Sequence, residues 1–534
     1  MGHKSRAALA LLLGAVMVMG VACTSDGKQS EGEQSDGGDS EDAGTEPEPV
    51  AFEGRSPADI AAPATPGGGP IVPQPAAPLP EGYIEEEYLI GGTATSFEAT
   101  ETPGDGFWVA EPAEEAEYRT RVIVRRPESP EDFSGTVVLE WFNVSAIEAS
   151  PDWAYLSGEI GREGHAYIGV SAQAQGVEGG ETILDVEVDA DDAAAAGVST
   201  DGSGLVNTDP QRYGTLTHPG DAWSFDIFSQ VGRAVAETPG QLLGDLEPTA
   251  VIAAGESQSA GYLTTLVNAV HPLDPVFDGF LVHSRGANAA PLDGEYLSAR
   301  DVESVEELTE RSVLIRTDLE VPVMIFETET DLTLLGYATA RQPDTELVRT
   351  WEVAGTAHAD AQFVRAILGG PRDPGVASLL GCTEPVNTGP HAEVVQAALH
   401  HLVGWVADGT PPPEGERLEL TDDDQPAIAR DDLGIALGGI RTPLVDVPVV
   451  VLSGDPPTGS SAEELTSGEV DVCVLFGSTT ALDPVTLSEL YPSADDYVAE
   501  FTASADAAVE AGFLLAPDAE ALVAETEDNR ALFG

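Results

Sequence analysis

The stretch Val251-Ile252-Ala253-Ala254-Gly255-Glu256-Ser257-Gln258-Ser259-Ala260-Gly261-Tyr262-Leu263 joins a buried-strand run to a helical pattern through one serine. A serine so placed reads as an elbow, a tight strand-to-helix turn that holds it in strained backbone geometry and demands small residues two before and two after it. Gly255 and Ser259 meet that demand, giving G-x-S-x-S, a variant of the commoner G-x-S-x-G. In a chain with 57 glycines a bare G-x-S means little, and Gly169-Val170-Ser171 and Gly197-Val198-Ser199 match equally well. Only Ser257 has an apolar strand-like run before it and, after it, a helix-compatible run (Tyr262, Leu263, Leu266, Val267) ending near Pro272. The competing reading is a serine that merely caps this helix.

The chain has 534 residues, enough for a large core and for several domains. Apolar residues make up 42% of it in short clustered runs, the mark of a globular chain. Acidic residues number 93 against 23 basic ones, a formal net charge of −70, and lysine occurs only at Lys4 and Lys28. That balance excludes nucleic acid as a partner, because a polyanion would be repelled and no basic stripe exists to neutralise phosphates. Solubility is the plainest reading of the acidity.

Lys4 and Arg6 precede the apolar run 7–18, which is too short for a permanent membrane span and reads as an export signal over residues 1–22. Gly20-Val21-Ala22-Cys23 resembles a bacterial lipoprotein box, in which Cys23 is lipidated and becomes the mature N-terminus. Gly20 stands where that box usually has leucine, and Gly-x-Ala also suits ordinary signal cleavage, which would leave a free secreted protein. Residues 23–50, rich in Ser, Gly, Asp and Glu, read as a disordered tether. The expected location is therefore the outer face of the cell membrane, anchored through Cys23, with secretion as the alternative. Cys382 and Cys473 remain in an oxidising compartment, where a disulfide between them is expected and two buried thiols are the alternative.

A proline- and alanine-rich stretch, 52–80, reads as extended chain on a domain surface. Strand-like runs follow at 87–90 with 93–97, 118–124, 136–142 and 166–171, then 251–256, 277–283, 321–327 and 350–353. Helical patterns at 153–161 and 224–235 intervene, which indicates βαβ units and a parallel sheet. The stretch 176–219 has no clear period and reads as a long loop near the site, and 286–318 reads as cap or lid material. Residues 392–407 read as a terminal amphipathic helix stopped by Pro411-Pro412-Pro413. Beyond it, 447–452 and 470–476 look like strands and 498–512 looks helical, within a possible accessory portion 410–534 of one domain running from 51 to 534. An antiparallel start followed by alternating strands and helices is the plan of the α/β-hydrolase fold, a mostly parallel sheet of about eight strands flanked by helices.

A serine hydroxyl is a poor nucleophile near neutral pH, so Ser257 needs a base within hydrogen-bond reach and an acid to orient that base. In this fold the chain order is serine, acid, histidine. His358, in the small-residue loop Ala354-Gly355-Thr356-Ala357-His358-Ala359-Asp360 after a strand, is the expected base. His283 ends an earlier strand and precedes every candidate acid, so it reads as a pocket or structural residue, and His391, His400 and His401 offer no obvious base. Val321-Pro322-Val323-Met324-Ile325-Phe326-Glu327-Thr328-Glu329-Thr330-Asp331 is a buried strand ending in carboxylates, with Asp331 the expected acid and Glu329 the alternative. Backbone N–H groups of Gln258 and of the Asn143 region are the expected oxyanion hole. Histidines and carboxylates do not cluster at ligand spacing and H-E-x-x-H is missing, so neither metal nor other cofactor is expected.

Trp141-Phe142-Asn143-Val144-Ser145, His218-Pro219-Gly220-Asp221, Gly255 to Ala260, His283-Ser284-Arg285-Gly286 and the Ala354 to Asp360 loop together resemble the bacterial α/β-hydrolase-domain family of exported, esterase-like proteins. The resemblance runs from about residue 83 to the C-terminus and implies a serine hydrolase acting on a small-molecule carboxylic ester. Fold alone does not fix function. A non-catalytic surface lipoprotein that uses the fold to bind a ligand and an acyltransferase are the alternatives.

Overall fold

The computed structural model describes residues 52–63, 79–145, 148–180, 204–294, 310–368, 382, 384–422, 426–456 and 472–533. The export segment, Cys23 and the tether lie outside them.

Nine strands form the main sheet: β1 (Asp59–Ala61), β2 (Tyr83–Ala99), β3 (Ala110–Pro127), β4 (Thr136–Trp141), β5 (Ala166–Val170), β6 (Ala250–Glu256), β7 (Gly279–His283), β8 (Val323–Thr328) and β9 (Val348–Val353). Their spatial order is β1-β2-β3-β5-β4-β6-β7-β8-β9. β1, β2 and β3 pair antiparallel, as does β3 with β5, and from β5 to β9 every pairing is parallel. β4, β7, β8 and β9 are buried at every residue, because both sheet faces are covered, and so their sequences read as continuous apolar runs.

Alternate residues of each strand feed two cores. Val137, Leu139, Val251 and Ala253 point into one, with Phe225 and Phe228 of helix Ser224–Glu237 and with Tyr262 and Leu263 of helix Gln258–Thr265. Val138, Ile252 and Ala254 point into the other, with Leu156 of helix Pro151–Glu163 and Leu399 and Leu402 of helix His391–Asp408. The tail belongs to this second core: Tyr497 and Phe501 of helix Ala494–Ala511 and Leu522 of helix Ala516–Asn529 pack in the same cluster as Phe326 and Trp351.

From β4 the chain passes through helix Pro151–Glu163 to β5 on one side, then returns through helix Ser224–Glu237 to β6 on the other. A reversal of this kind leaves a crevice outside the carboxyl ends of the strands, where open α/β sheets bind ligands. Here the crevice lies beyond β4 and β6, where Asn143 and Ser257 sit.

Several local expectations need correction. β2 is one strand of 17 residues, not two short ones. Gly91 and Gly92 read as a break, yet they lie inside the ladder, where a Cβ on Gly91 would stand 3.0 Å from the Tyr118 carbonyl oxygen. The stretch 176–219 is not a plain loop: helices Gly204–Thr208 and Pro210–Tyr213 lie in it, the second capped by Asp209, while 181–203 falls outside the described residues. Of the run 470–476, the described residues 472–476 form no strand either. Val472–Leu475 is a 3-10 turn, because Cys473 is bonded to Cys382 and Val474, Leu475 and Phe476 turn into a small apolar cluster with Val364 and Val386. Its strand neighbour, β11 (Ser478–Ala481), pairs antiparallel with β10 (Val450–Ser453).

Candidate active site

Ser257 follows β6 and precedes helix Gln258–Thr265, with φ 61° and ψ −119°. Positive φ in a serine is a strained geometry that persists only where the surroundings over-determine it. The surroundings do so here. The Ser257 N–H donates to the His283 carbonyl at 2.9 Å, continuing the β6–β7 ladder, and the Gly261 N–H donates to the Ser257 carbonyl at 3.2 Å, starting the helix. A Cβ on Gly255 would lie 3.1 Å from both Ser259 Cβ and Leu263 Cδ1. The two small positions therefore face each other across the turn, and serine fits at 259 because 255 has no side chain.

His358 lies in the loop after β9 and Asp331 in the short helix Glu329–Thr333 after β8. His358 Nε2 is 2.8 Å from Ser257 Oγ, and His358 Nδ1 is 2.6 Å from Asp331 Oδ1. The other Asp331 oxygen accepts from the N–H and the hydroxyl of Thr328, both at 2.7 Å, in a capping box that fixes the carboxylate plane. Burial pushes the Asp331 carboxyl up, but the charge and hydrogen bond of His358 and the Thr328 donors outweigh it and leave it below its usual range. So the structure brings Ser257, His358 and Asp331 into one hydrogen-bonded line beyond the carboxyl ends of β6, β9 and β8, three strands of the parallel part of the sheet.

The family pattern described as "Alpha/beta hydrolase domain" matches residues 56–524. The chain belongs to the α/β hydrolase domain family. No curated protein sequence matches it. Among solved structures it resembles a Rhizomucor miehei esterase at 13% identity, covering 62% of this chain and 86% of that one, with a TM-score of 0.29. It also resembles esterase Est22 at 14% identity, covering 56% and 80% with a TM-score of 0.27, and acetyl xylan esterase 1 from Thermoanaerobacterium at 10%, covering 48% and 80% with a TM-score of 0.24. These are shallow likenesses, and family membership stands without them.

Glu329, the alternative acid, points elsewhere in this α/β hydrolase. Its carboxylate accepts from the Gly355 N–H at 2.6 Å, the Gly454 N–H at 3.0 Å and the Arg430 guanidinium at 2.7 Å. It clamps the His358 loop to the tail. The tail makes further bonds of this kind: Thr330 donates to the Gly454 carbonyl at 2.7 Å, Ala359 N–H to the Leu475 carbonyl at 3.0 Å, and the Asn387 amide to the carbonyls of Gly355 and Ser453, each at 3.1 Å. The Cys382–Cys473 disulfide, with Cα atoms 5.6 Å apart, joins the segment after the His358 loop to that same tail. The described residues of 410–534 thus brace the loops that carry Asp331 and His358.

Gln258 begins the elbow helix, so its N–H faces the N-terminal end beside Ser257. The Asn143 N–H is otherwise engaged: it donates to the Ala149 carbonyl at 3.0 Å, in a bridge that Ala149 returns at 2.8 Å. That corrects the expectation for the second oxyanion donor. The next N–H, of Val144, makes only a 3.3 Å contact to Gln258 Oε1, while the Asn143 side chain donates to the Glu256 carbonyl at 3.1 Å.

Glu256 is the residue that pattern reading left without a role. It is buried, with Oε1 3.3 Å from His358 Nε2. Burial pushes its carboxyl up to about 8, helped by the carboxylates of Asp152, Asp331 and Glu140 and opposed by His358. Burial pulls His358 down, but Glu256 and then Asp331 overcome it and raise the imidazole to about 9. Each group is the other's close neighbour, so the two shifts belong to the pair. Away from this site, Glu159, Glu163 and His400 have ligand atoms within 4.8 Å of one another, an arrangement that the His400–Glu159 hydrogen bond of 2.8 Å explains without an ion.

Proposed function

We propose that this α/β hydrolase is a serine hydrolase that cleaves carboxylic esters outside the cytoplasm. The line from Ser257 Oγ through His358 to Asp331, with links of 2.8 and 2.6 Å, carries the reading. Ser257 Oγ attacks the ester carbonyl carbon while His358 Nε2 takes its proton. The tetrahedral adduct collapses, the C–O bond to the alcohol breaks, and His358 returns the proton to the leaving oxygen. Water, deprotonated by the same nitrogen, then attacks the acyl-enzyme, releases the acid and restores Ser257. Asp331 holds the imidazole with Nε2 toward the serine and stabilises the imidazolium. The N–H groups of Gln258 and Val144 are the donors proposed for the oxyanion, the second released from its long contact with the Gln258 side chain.

On the same reading, residues 1–22 are an export signal and a lipid on Cys23 anchors the chain to the outer face of the membrane. Among the described residues no helix is long and apolar enough to cross a membrane. The direct test is turnover of p-nitrophenyl esters of short and long acyl chains. Wild-type protein should hydrolyse at least one series and Ser257→Ala none, while equal rates from both would dismiss the reading.

A further inference from the structure

Beneath the His358 loop runs a second hydrogen-bonded line that the ester chemistry does not use. Asp152 Oδ1, on helix Pro151–Glu163, is 2.8 Å from His283 Nδ1 at the end of β7. His283 Nε2 is 2.6 Å from His391 Nε2, at the start of helix His391–Asp408, and His391 Nδ1 is 3.0 Å from the carbonyl oxygen of Ala357, the residue before His358. All three side chains are 0% exposed.

The hydrogens of this line can be counted. A carbonyl oxygen only accepts, so His391 Nδ1 carries a hydrogen. Each of the two remaining contacts also needs one, since two lone pairs at 2.6 or 2.8 Å repel. Three contacts need three hydrogens, and a carboxylate with two neutral imidazoles brings only two. One more proton must therefore reside on the trio, whether on Asp152, His283 or His391, and in each case the trio is neutral overall. We propose that Asp152, His283 and His391 form a proton-saturated, uncharged chain that positions the base His358 through the carbonyl of Ala357.

The surroundings agree with that count. Burial pushes the Asp152 carboxyl up to about 8 and the His283 imidazole down to about 3, and it carries His391 well down too, which places the third proton on Asp152. Asp152 Oδ2 has no hydrogen-bond partner among the described residues, a poor setting for a carboxylate. The titratable groups facing the trio are Glu140, with its partner Tyr167, and Glu256 on the Asp152 side, and Asp331 and His358 on the imidazole side. Of these, the Asp331 carboxyl is held below its usual range, and its charge would repel a negative trio. The rings brace the loop as well: Tyr155 stacks on His391 at 4.1 Å, with Phe326 on the ring at 5.2 Å, and Tyr155 donates to Asp360 at 3.2 Å, at the far end of the same loop.

The positioning role rests on the serine-hydrolase reading and the proton count does not, so the test has two arms on the full-length protein. With imidazole nitrogens labelled with ¹⁵N, His283 and His391 should neither gain nor lose a proton between about pH 5 and about pH 9, where an ordinary histidine titrates. A charge change at either residue overturns the neutral chain. In the kinetic arm, His391→Phe keeps a ring between Tyr155 and Phe326 but offers Ala357 no N–H. It should lower kcat for p-nitrophenyl acetate about 10- to 100-fold while KM moves less than about threefold. Asp152→Asn places an amide N–H where the acid hydroxyl stood, and should stay within about threefold of wild type. Wild-type kcat in His391→Phe, or a loss in Asp152→Asn as large as in Asp152→Leu, overturns the positioning role. Absence of ester turnover in the wild type would fault the serine-hydrolase reading instead, and the imidazole spectra would still judge the proton count.

Discussion

Glu256 Oε1 lies 3.3 Å from His358 Nε2, the nitrogen that also holds Ser257 Oγ at 2.8 Å. Glu256, directly before Ser257, is therefore a second acidic partner of His358. Only uncharged His358 can accept the serine proton, and Glu256 and Asp331 raise the imidazole to about 9 against its burial. The pH profile of kcat/KM should accordingly rise through an apparent pKa well above the usual imidazole value of about 6.5. Glu256→Gln removes one negative neighbour, and its limb should fall by about one unit or more. A limb that does not move would remove Glu256 from this role.

The same pair predicts a stability slope. Glu256 has a folded pKa of about 8 against 4.5, and His358 about 9 against 6.5, so the folded chain holds more protons than the unfolded one between those limits. The pair's contribution is full below the unfolded values and is lost as pH rises through the folded ones. Melting temperature should decline less steeply over that window in Glu256→Gln than in wild type; parallel curves would contradict the shifts.

Asp331 and Glu329 sit two residues apart on one short helix and should fail differently. Asp331→Asn should cost kcat about 10⁴-fold with little loss of stability, since it leaves the imidazole without its orienting acceptor. Glu329→Gln breaks a buried pair with Arg430, which typically costs about 3 kcal/mol, and should show mainly as a lower melting temperature. Kinetics and calorimetry on the two variants assign the acid, and the reverse pattern would exchange their roles.

Reduction of Cys382–Cys473 opens a link spanning 91 residues, worth on the order of 4 kcal/mol by chain entropy. Dithiothreitol should lower the melting temperature, and thiol titration of unfolded, unreduced protein should find neither cysteine free. An unchanged melting temperature would show that the tail holds its place without the bond.

The anchor is tested by detergent-phase partitioning of the expressed protein. Wild type should enter the detergent phase and Cys23→Ser should stay in the aqueous phase. Aqueous wild type would mean ordinary cleavage and a secreted protein.

Much of the fold was legible because buried parallel strands announce themselves as apolar runs: β4 to β9 all came from such runs, within a few residues of their ends. The meeting of Ser257, Asp331 and His358 was legible because each follows a strand, and parallel strands end on the same side of the sheet. What escaped was set by distance in the chain. Nothing local marks Arg430 or Asn387 as supports of the His358 loop, and Asp152, His283 and His391 meet only because a helix, a strand end and a second helix converge under it. Val472–Leu475 misled because a valine-rich run looks like a strand, whereas here it is a 3-10 turn that carries the disulfide-bonded Cys473. Nothing in the sequence marks the bridge to Ala149, a residue six positions on, that takes up the Asn143 N–H.

An activated Ser257 should react with a fluorophosphonate, and the intact mass of the protein after that reaction reads the outcome. Wild type should gain one adduct, mapped to the peptide containing Ser257, and Ser257→Ala should gain none. A wild type that takes up no label, or a Ser257→Ala variant that takes up as much, would contradict an activated Ser257.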